Sequence, residues 1–246
     1  MNEGAIVHRE FAAIRGVFFD AGATLLHPDP PVEEIYAREF SSGAAKFSSA
    51  DLSRGLERAW AEIQAENRGD RYGGVRGERE FWRGFLNRVR RHLDGGVVSP
   101  EAFSRLAAHF RDPGSWAVFE DVRGTLAELE SRGVLLAVVS NWDSHLPALL
   151  EALGLARSFQ AVTVSAIEGT GKPEPEIFRR TCARLRLSPA EVLHVGDSLA
   201  EDYEGARAAG LSALLLDREG RHAGRPDRLE TLALLPGILR GAAIAE

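Results

Sequence analysis

IRGVFFDAGATLL, residues 14–26, decides how the rest of the chain is read. Its first half is a short apolar run of the kind that forms a strand buried on both faces, as parallel strands are. The run ends in Asp20, and a carboxylate at the rim of a core costs free energy unless something uses it. Small residues and Thr24 follow at once, with Gly22 two positions after the carboxylate. The plain reading is that Asp20 caps the turn. Whether it does more depends on what the other strands carry at the same end.

Four further runs share this character: VLLAVVS (134–140), AVTVS (161–165), VLHVGD (192–197) and SALLLD (212–217). Segments with helical spacing lie between them. DSHLPALLEALG closes on Gly154, PEIFRRTCARLRL offers Ile177, Cys182 and Leu185 to one side, and EDYEGARAAG stops at Gly210. Alternating strand and helix predicts an α/β domain with a Rossmann-like, largely parallel sheet. Ligands of such sheets sit beyond the carboxyl ends of the strands.

The first strand is separated from the others by a stretch of different character. Residues 28–117 hold amphipathic segments, VEEIYAREF, SSADLSRGLERAWAEIQ, EREFWRGFLNRVRRHL and SPEAFSRLAAHF, two of them opening on serine N-cap signals. The division expected is a core of 1–27 and 118–246 with an inserted all-α helical domain at 28–117, reached through HPDPP (27–31) and left through DPG (112–114). An insert after Asp20 lies over the carboxyl edge of the sheet, placed like a lid. RGDRYGGVRGE (68–78), with glycines among charges, reads as its mobile loop.

Composition narrows the partners. The 246 residues carry a formal net charge of −6, which argues against a dedicated nucleic-acid binder or membrane-surface binder. No apolar run approaches a membrane span, and MNEGAIVHREF lacks the layout of a signal peptide. The one cysteine, Cys182, excludes an internal disulfide or a zinc cluster and fits a reducing, cytoplasmic setting.

Polar stations recur where the later strands end. Ser140-Asn141 closes the second, Gly171-Lys172-Pro173 follows the third, and Gly196-Asp197-Ser198 closes the fourth, with Glu201 and Asp202 just beyond. With Asp20 they place carboxylates, a hydroxyl, an amide and an ammonium at one edge of one sheet. Independent caps rarely assemble so. The set suits phosphoryl transfer: two carboxylates from neighbouring strands can hold Mg²⁺, a carboxylate can attack the phosphate, and a lysine and a hydroxyl can hold its oxygens.

The chain resembles the haloacid dehalogenase-like (HAD) hydrolase superfamily. DAGAT is similar to its first motif, D-x-D-G-T; VVSN resembles the second, GKP the third and HVGDSLAED the fourth, in the family's order and spacing. The insert is similar in position to the family's α-helical cap, and the D-A-G-x-T form marks one branch. The resemblance implies Asp20 as nucleophile and Mg²⁺ held by Asp20, the backbone carbonyl of Gly22 and Asp197. It further implies Thr24, Ser140 and the Asn141 backbone facing the phosphate, Lys172 stabilising it, and Asp202, with Glu201 beside it, orienting Lys172 or a water. A small phosphorylated substrate and an aspartyl-phosphate intermediate follow from the same resemblance.

One departure matters. In the family's phosphatases the aspartate two after the nucleophile protonates the leaving oxygen and later activates water; Gly22 can do neither. Ala23 replaces the usual glycine, a milder change provided the backbone there avoids positive φ. A protein that binds phosphate or a partner without turnover is therefore a rival reading. Haloacid dehalogenation is a third, opposed by the acidic fourth motif, which would repel a carboxylate substrate.

Several residues carry plain readings beside functional ones. His27 at the way into the insert has a pKa suited to supplying the missing proton, or is a hinge residue bonded to backbone. Asp143 could reach the pocket or cap the following helix. His194 is read as a satisfied core histidine rather than a catalyst. Arginines 76, 79, 83, 88, 90 and 91 could attract a second acidic group on a substrate or form a solvated face, and Trp60, Trp82 and Phe85 pack the insert or, for one of them, line the pocket.

Overall fold

The computed structural model describes residues 11, 13–40, 47–66, 71–72 and 74–239. Along them run β1 (Gly16–Phe19), β2 (Leu26–Pro28), α1 (Val32–Phe40), α2 (Ser49–Ala65), α3 (Gly74–Leu93), α4 (Pro100–Arg111), β3 (Trp116–Val118) and α5 (Glu120–Ser131). Then come β4 (Leu135–Ser140), α6 (Leu146–Ala152), β5 (Ala161–Val164), α7 (Ser165–Glu168), α8 (Pro175–Leu185), β6 (Val192–Gly196), α9 (Gly205–Ala208), β7 (Ser212–Leu216), β8 (Arg228–Leu229) and α10 (Leu235–Ile238). Among these no helix is long and apolar enough to cross a membrane. The N-terminal stretch read for a signal peptide lies, Phe11 apart, outside the described residues.

Six strands pair in the order β5-β4-β1-β6-β7-β8, all parallel. The chain works outward from β1 to β4 and β5, then crosses back to β6, so the order reverses at the strand that leads into Asp20. That reversal opens a crevice at the carboxyl ends of β4, β1 and β6. Period-two alternation splits the apolar side chains between two faces. Val17 and Phe19 join one cluster with Leu136, Val138, Leu193 and Val195, while Phe18 joins the other with Ala137, Val139 and Val192. The runs anticipated as strands are β1, β4, β5, β6 and β7, the first shortened by three residues and each of the others by one. Ser165 opens α7 rather than closing β5, and the two-residue edge strand β8 lacked any local pattern.

The four insert helices bury a cluster of their own, drawn from Ile35 to Leu106. Ser48 caps α2 with a reciprocal bond to Asp51, and Ser99 caps α4 ahead of Pro100. Such caps are each worth about 1 kcal/mol. The fold is therefore an α/β sheet domain with an inserted all-α cap. Its two connections pair as an antiparallel ribbon, β2 with β3, in the register Leu26↔Val118, His27↔Ala117 and Pro28↔Trp116. Of the glycine-rich stretch 68–78, residues 68–70 and 73 lie outside the described residues, while 74–78 form the first turn of α3 rather than a loop.

Candidate active site

Asp20 continues the line of β1, its amide donating to the Val195 carbonyl of β6 at 3.0 Å. Its carboxylate meets the Lys172 ammonium at 2.6 Å, and the same ammonium lies 2.5 Å from Asp202. All three are buried. Asp202 is placed by a π-helical turn, Leu199–Glu204, that folds it back over the end of β6. Only glycine permits this: a Cβ on Gly196 would stand 2.2 Å from the Asp202 Cγ. The second Asp202 oxygen accepts from the Ser198 amide at 2.9 Å, and the first also meets His194 Nε2 at 2.9 Å. His194 is wholly buried and edge-on to Phe178 with its Nδ1 unpartnered, so the satisfied core histidine of the sequence reading is instead bonded through Nε2 alone, to a residue of the site.

Charge explains the titration of this network. Burial alone raises a carboxyl pKa, yet the Lys172 charge and the His194 bond hold Asp202 well below the usual carboxylate range. Burial lifts Asp20 above its ordinary value, opposed by Lys172 and reinforced by Asp202. Against the effect of burial, Asp20 and Asp202 raise the Lys172 ammonium, so it stays charged. Asp197, whose side chain keeps an exposed face, is pushed well up by the protein around it and by Asp20 and Asp202. Oxygens of Asp20, Asp197 and Asp202 lie within 4.8 Å of one another. One ammonium does not balance three carboxylates. An all-oxygen donor set with such an excess of negative charge fits a hard divalent cation.

Of the other anticipated residues, Ser140 is buried at the end of β4 and its hydroxyl draws the Asp20 pKa down. Asn141 follows: its side-chain amide donates to the Lys172 carbonyl and accepts from the Lys172 amide, each at 2.8 Å. Thr24 is fully buried with its hydroxyl unpartnered, while its carbonyl accepts from Arg218 at 2.9 Å. Gly22 and Ala23 lie in the tight turn in which the Leu25 and Leu26 amides both donate to the Ala21 carbonyl.

That turn corrects one expectation. Ala23 has φ of +54°, the left-handed region, so alanine here is not the milder change foreseen but carries backbone strain. Gly22 has a different constraint: a Cβ on it would stand 3.1 Å from the Trp142 ring. Trp142, which packs on Trp116 of the ribbon at 5.1 Å between centroids, lies over the backbone where an aspartate side chain would start. His27 is occupied elsewhere, its Nδ1 3.0 Å from the Pro28 carbonyl and its ring against Phe119, in keeping with a hinge residue.

The cap reaches this edge. Arg71 pairs with Glu201, the Tyr72 hydroxyl donates to the Asn141 carbonyl at 3.3 Å, Glu78 accepts from the Ser144 amide at 2.6 Å, and the Trp82 indole donates to Asp143 at 2.9 Å. Asp143 also accepts from the His145 amide at 3.2 Å, a turn bond just ahead of α6 rather than the helix cap expected of it, since the N-cap position is His145 and carries no side-chain cap bond. The arginines singled out in the sequence do other work: Arg88 and Arg90 pair with Glu66 and Asp94, and Arg79 rests on Phe103. The cap arginine at the site is Arg71, which no periodicity marks. His194 had a signal, a polar residue inside an otherwise apolar strand.

Comparison with known proteins bears on the family and the fold. A profile of the haloacid dehalogenase-like hydrolases matches residues 14–210. The chain is 33% identical over 208 residues, 82% of each, to haloacid dehalogenase-like hydrolase domain-containing protein 3 of Mus musculus. It is 36% identical over 141 residues to a phosphoserine phosphatase of Thermus thermophilus, covering 56% of this chain and 57% of that one. The crystal structure of a HAD phosphatase from Thermococcus onnurineus superposes with a TM-score of 0.64 at 26% identity, covering 94% of this chain and all of that one.

Proposed function

The chain belongs to the haloacid dehalogenase-like hydrolase family, and on that premise we propose that it is a Mg²⁺-dependent phosphatase of a small phosphorylated metabolite. The observation that carries this is the acidic cluster of Asp20, Asp197 and Asp202 around one lysine. Asp20 and Asp197, with the Gly22 carbonyl, are the groups that would hold the ion, which neutralises charge on the incoming phosphate.

Asp20 is the nucleophile. Lys172 opposes the rise that burial imposes on the Asp20 pKa, and Asp202, fixed by His194 and Ser198, keeps Lys172 in place. An Asp20 oxygen bonds to phosphorus as the ester P–O bond breaks, its electron pair leaving on the departing oxygen. Lys172 and the Ser140 hydroxyl hold the phosphoryl oxygens, and Thr24 and the Asn141 backbone complete the cradle. Water then attacks the phosphorus of the aspartyl-phosphate, the bond to Asp20 breaks with its electron pair returning to the carboxylate, and the water's protons leave on the released phosphate. At position 22 nothing donates a proton to the leaving oxygen or takes one from the water. Leaving groups stable as anions are thus favoured.

Each rival has a specific marker. The Trp142 ring over Gly22 favours a binding protein without turnover. Three clustered carboxylates oppose a haloacid, whose own carboxylate they would repel. A buried Cys182 thiol and no apolar spanning helix among the described residues support a cytoplasmic setting.

One experiment sorts these. With Mg²⁺, p-nitrophenyl and acetyl phosphate should turn over far faster than alkyl phosphates, with a burst of nitrophenolate, and Asp20→Asn should abolish it. Calorimetry on Asp197→Asn should show weakened Mg²⁺ binding. Absence of turnover with intact Mg²⁺ binding would move the assignment to a binding protein; intact Mg²⁺ binding in Asp197→Asn would remove the metal site.

A further inference from the structure

Glu201 stands next to Asp202, and its two oxygens point to different parts of the molecule. One takes the guanidinium of Arg71 from the cap; the other accepts from the Asn141 side-chain amide at 2.7 Å. The Asn141 amide is in turn clamped to the backbone of Lys172 on both sides. Lys172 then reaches Asp20. A continuous path of polar contacts runs from the cap to the nucleophile.

We propose that Arg71 and Glu201 are positioning residues which, through Asn141, set the place of Lys172 against Asp20. The argument begins with the amide. A side-chain amide can turn over and exchange its oxygen and nitrogen, and only its partners fix which is which. The Lys172 amide demands oxygen at one end; Glu201 and the Lys172 carbonyl demand nitrogen at the other. Without Glu201, one of the two groups accepting from that nitrogen is lost.

Glu201 would itself be free to swing were its other oxygen in water. It is not: the side chains of Glu201 and Arg71 are only 13% and 8% exposed. A pair so enclosed is weakly screened, unlike the exposed Arg105–Glu39 pair on the cap surface, where the arginine side chain is 60% exposed. The Arg71 guanidinium also lies 5.9 Å from the centre of the Trp60 ring, which ties its position to the aromatic packing of the cap. The cap therefore supplies a fixed charge at one end of the path, and the lysine backbone is held at the other. Exposed surface pairs in the cap have no such path.

This rests on the phosphatase reading for its kinetic consequence, but not for its structural one, and the test separates the two. Hydrogen exchange on the protein without metal or substrate should show the Lys172 amide, whose acceptor is the Asn141 oxygen, exchanging about tenfold faster in Arg71→Ala and in Glu201→Gln. Amides of β4 and β6 should keep their protection, and Arg105→Ala should change nothing. With Mg²⁺ and p-nitrophenyl phosphate, the same two variants should lose about tenfold in kcat with KM little changed, since small displacements of a positioned group carry such penalties. The double variant should fall no further than either single one, because both break one path, and Arg71→Lys should recover part of the loss. Unchanged exchange at Lys172, or additive kinetic losses, overturns the proposal. A wild-type protein that turns over no phosphate while its Lys172 amide still responds to Arg71→Ala sinks the phosphatase reading and supports the path.

Discussion

The two flanks of Asp20 are built by opposite means. On the Lys172 flank the lysine and the carboxylates it bridges are held by partners: the ammonium bridges Asp20 and Asp202, Asp202 is held by His194 and Ser198, and Asn141 holds the lysine backbone. On the Gly22 flank there is no acidic side chain, and the Trp142 ring covers the backbone. On the proposed phosphatase reading the first flank would stabilise charge on a phosphoryl group, and the second would lack the group that moves a proton. Two demands on such a site, electrostatics and acid–base chemistry, are thus physically separable: one flank is built of charge, the other of packing.

Removing the charge on the first flank should do the most. Lys172→Met is expected to lower turnover of p-nitrophenyl phosphate by about 10²–10³-fold, the range for loss of one stabilising donor. It also leaves Asp20 and Asp202 buried without their cation, which should destabilise the fold by about 3–5 kcal/mol in urea unfolding. The pH dependence has a definite sign. Asp202 is depressed in the folded protein, so its contribution is complete above the unfolded value of about 3.9 and is lost as pH falls towards the folded one. The deficit of Lys172→Met should thus be largest near neutrality and shrink below about pH 4. A deficit that grows in acid would break the comparison, because the flank would not then be held by charge.

The second flank can be rebuilt. Gly22→Asp alone brings a Cβ to 3.1 Å from the Trp142 ring, so the ring must give way by a few tenths of an ångström. Combined with Trp142→Ala, it has room. The double variant should raise alkyl-phosphate turnover relative to aryl-phosphate turnover by about 10²-fold, the lower end of what a general acid contributes. Gly22→Asp alone should do less. Equal ratios in wild type and double variant would mean that another group already supplies the proton.

The smallest effect concerns the strain in the same turn. Ala23 at φ +54° is in a region where glycine sits without penalty, so Ala23→Gly should stabilise the protein by up to about 1 kcal/mol after the greater freedom of unfolded glycine is subtracted. Thermal unfolding measures it. A loss of stability would show that the Ala23 methyl packs usefully enough to outweigh its backbone.

The parallel sheet, the helical insert and the polar stations at the strand ends are legible from the residues alone. These rest on local regularities: apolar runs of strand length, helical spacing with serine caps at Ser48 and Ser99, and carboxylates where a buried run stops. Burial is written at every turn of the chain, so it can be read a few residues at a time. Four features are visible only in the folded molecule: Trp142 covers Gly22, His194 holds Asp202, Ala23 is left-handed, and Arg71 reaches Glu201 across 130 positions of sequence. Even His194, a histidine within an apolar strand, gained its role only when the turn after Gly196 brought Asp202 back onto it. The Arg71–Glu201 pair depends on how the cap is set against the sheet domain, and the other three on how turns and strands meet within that domain; no local pattern encodes either placement.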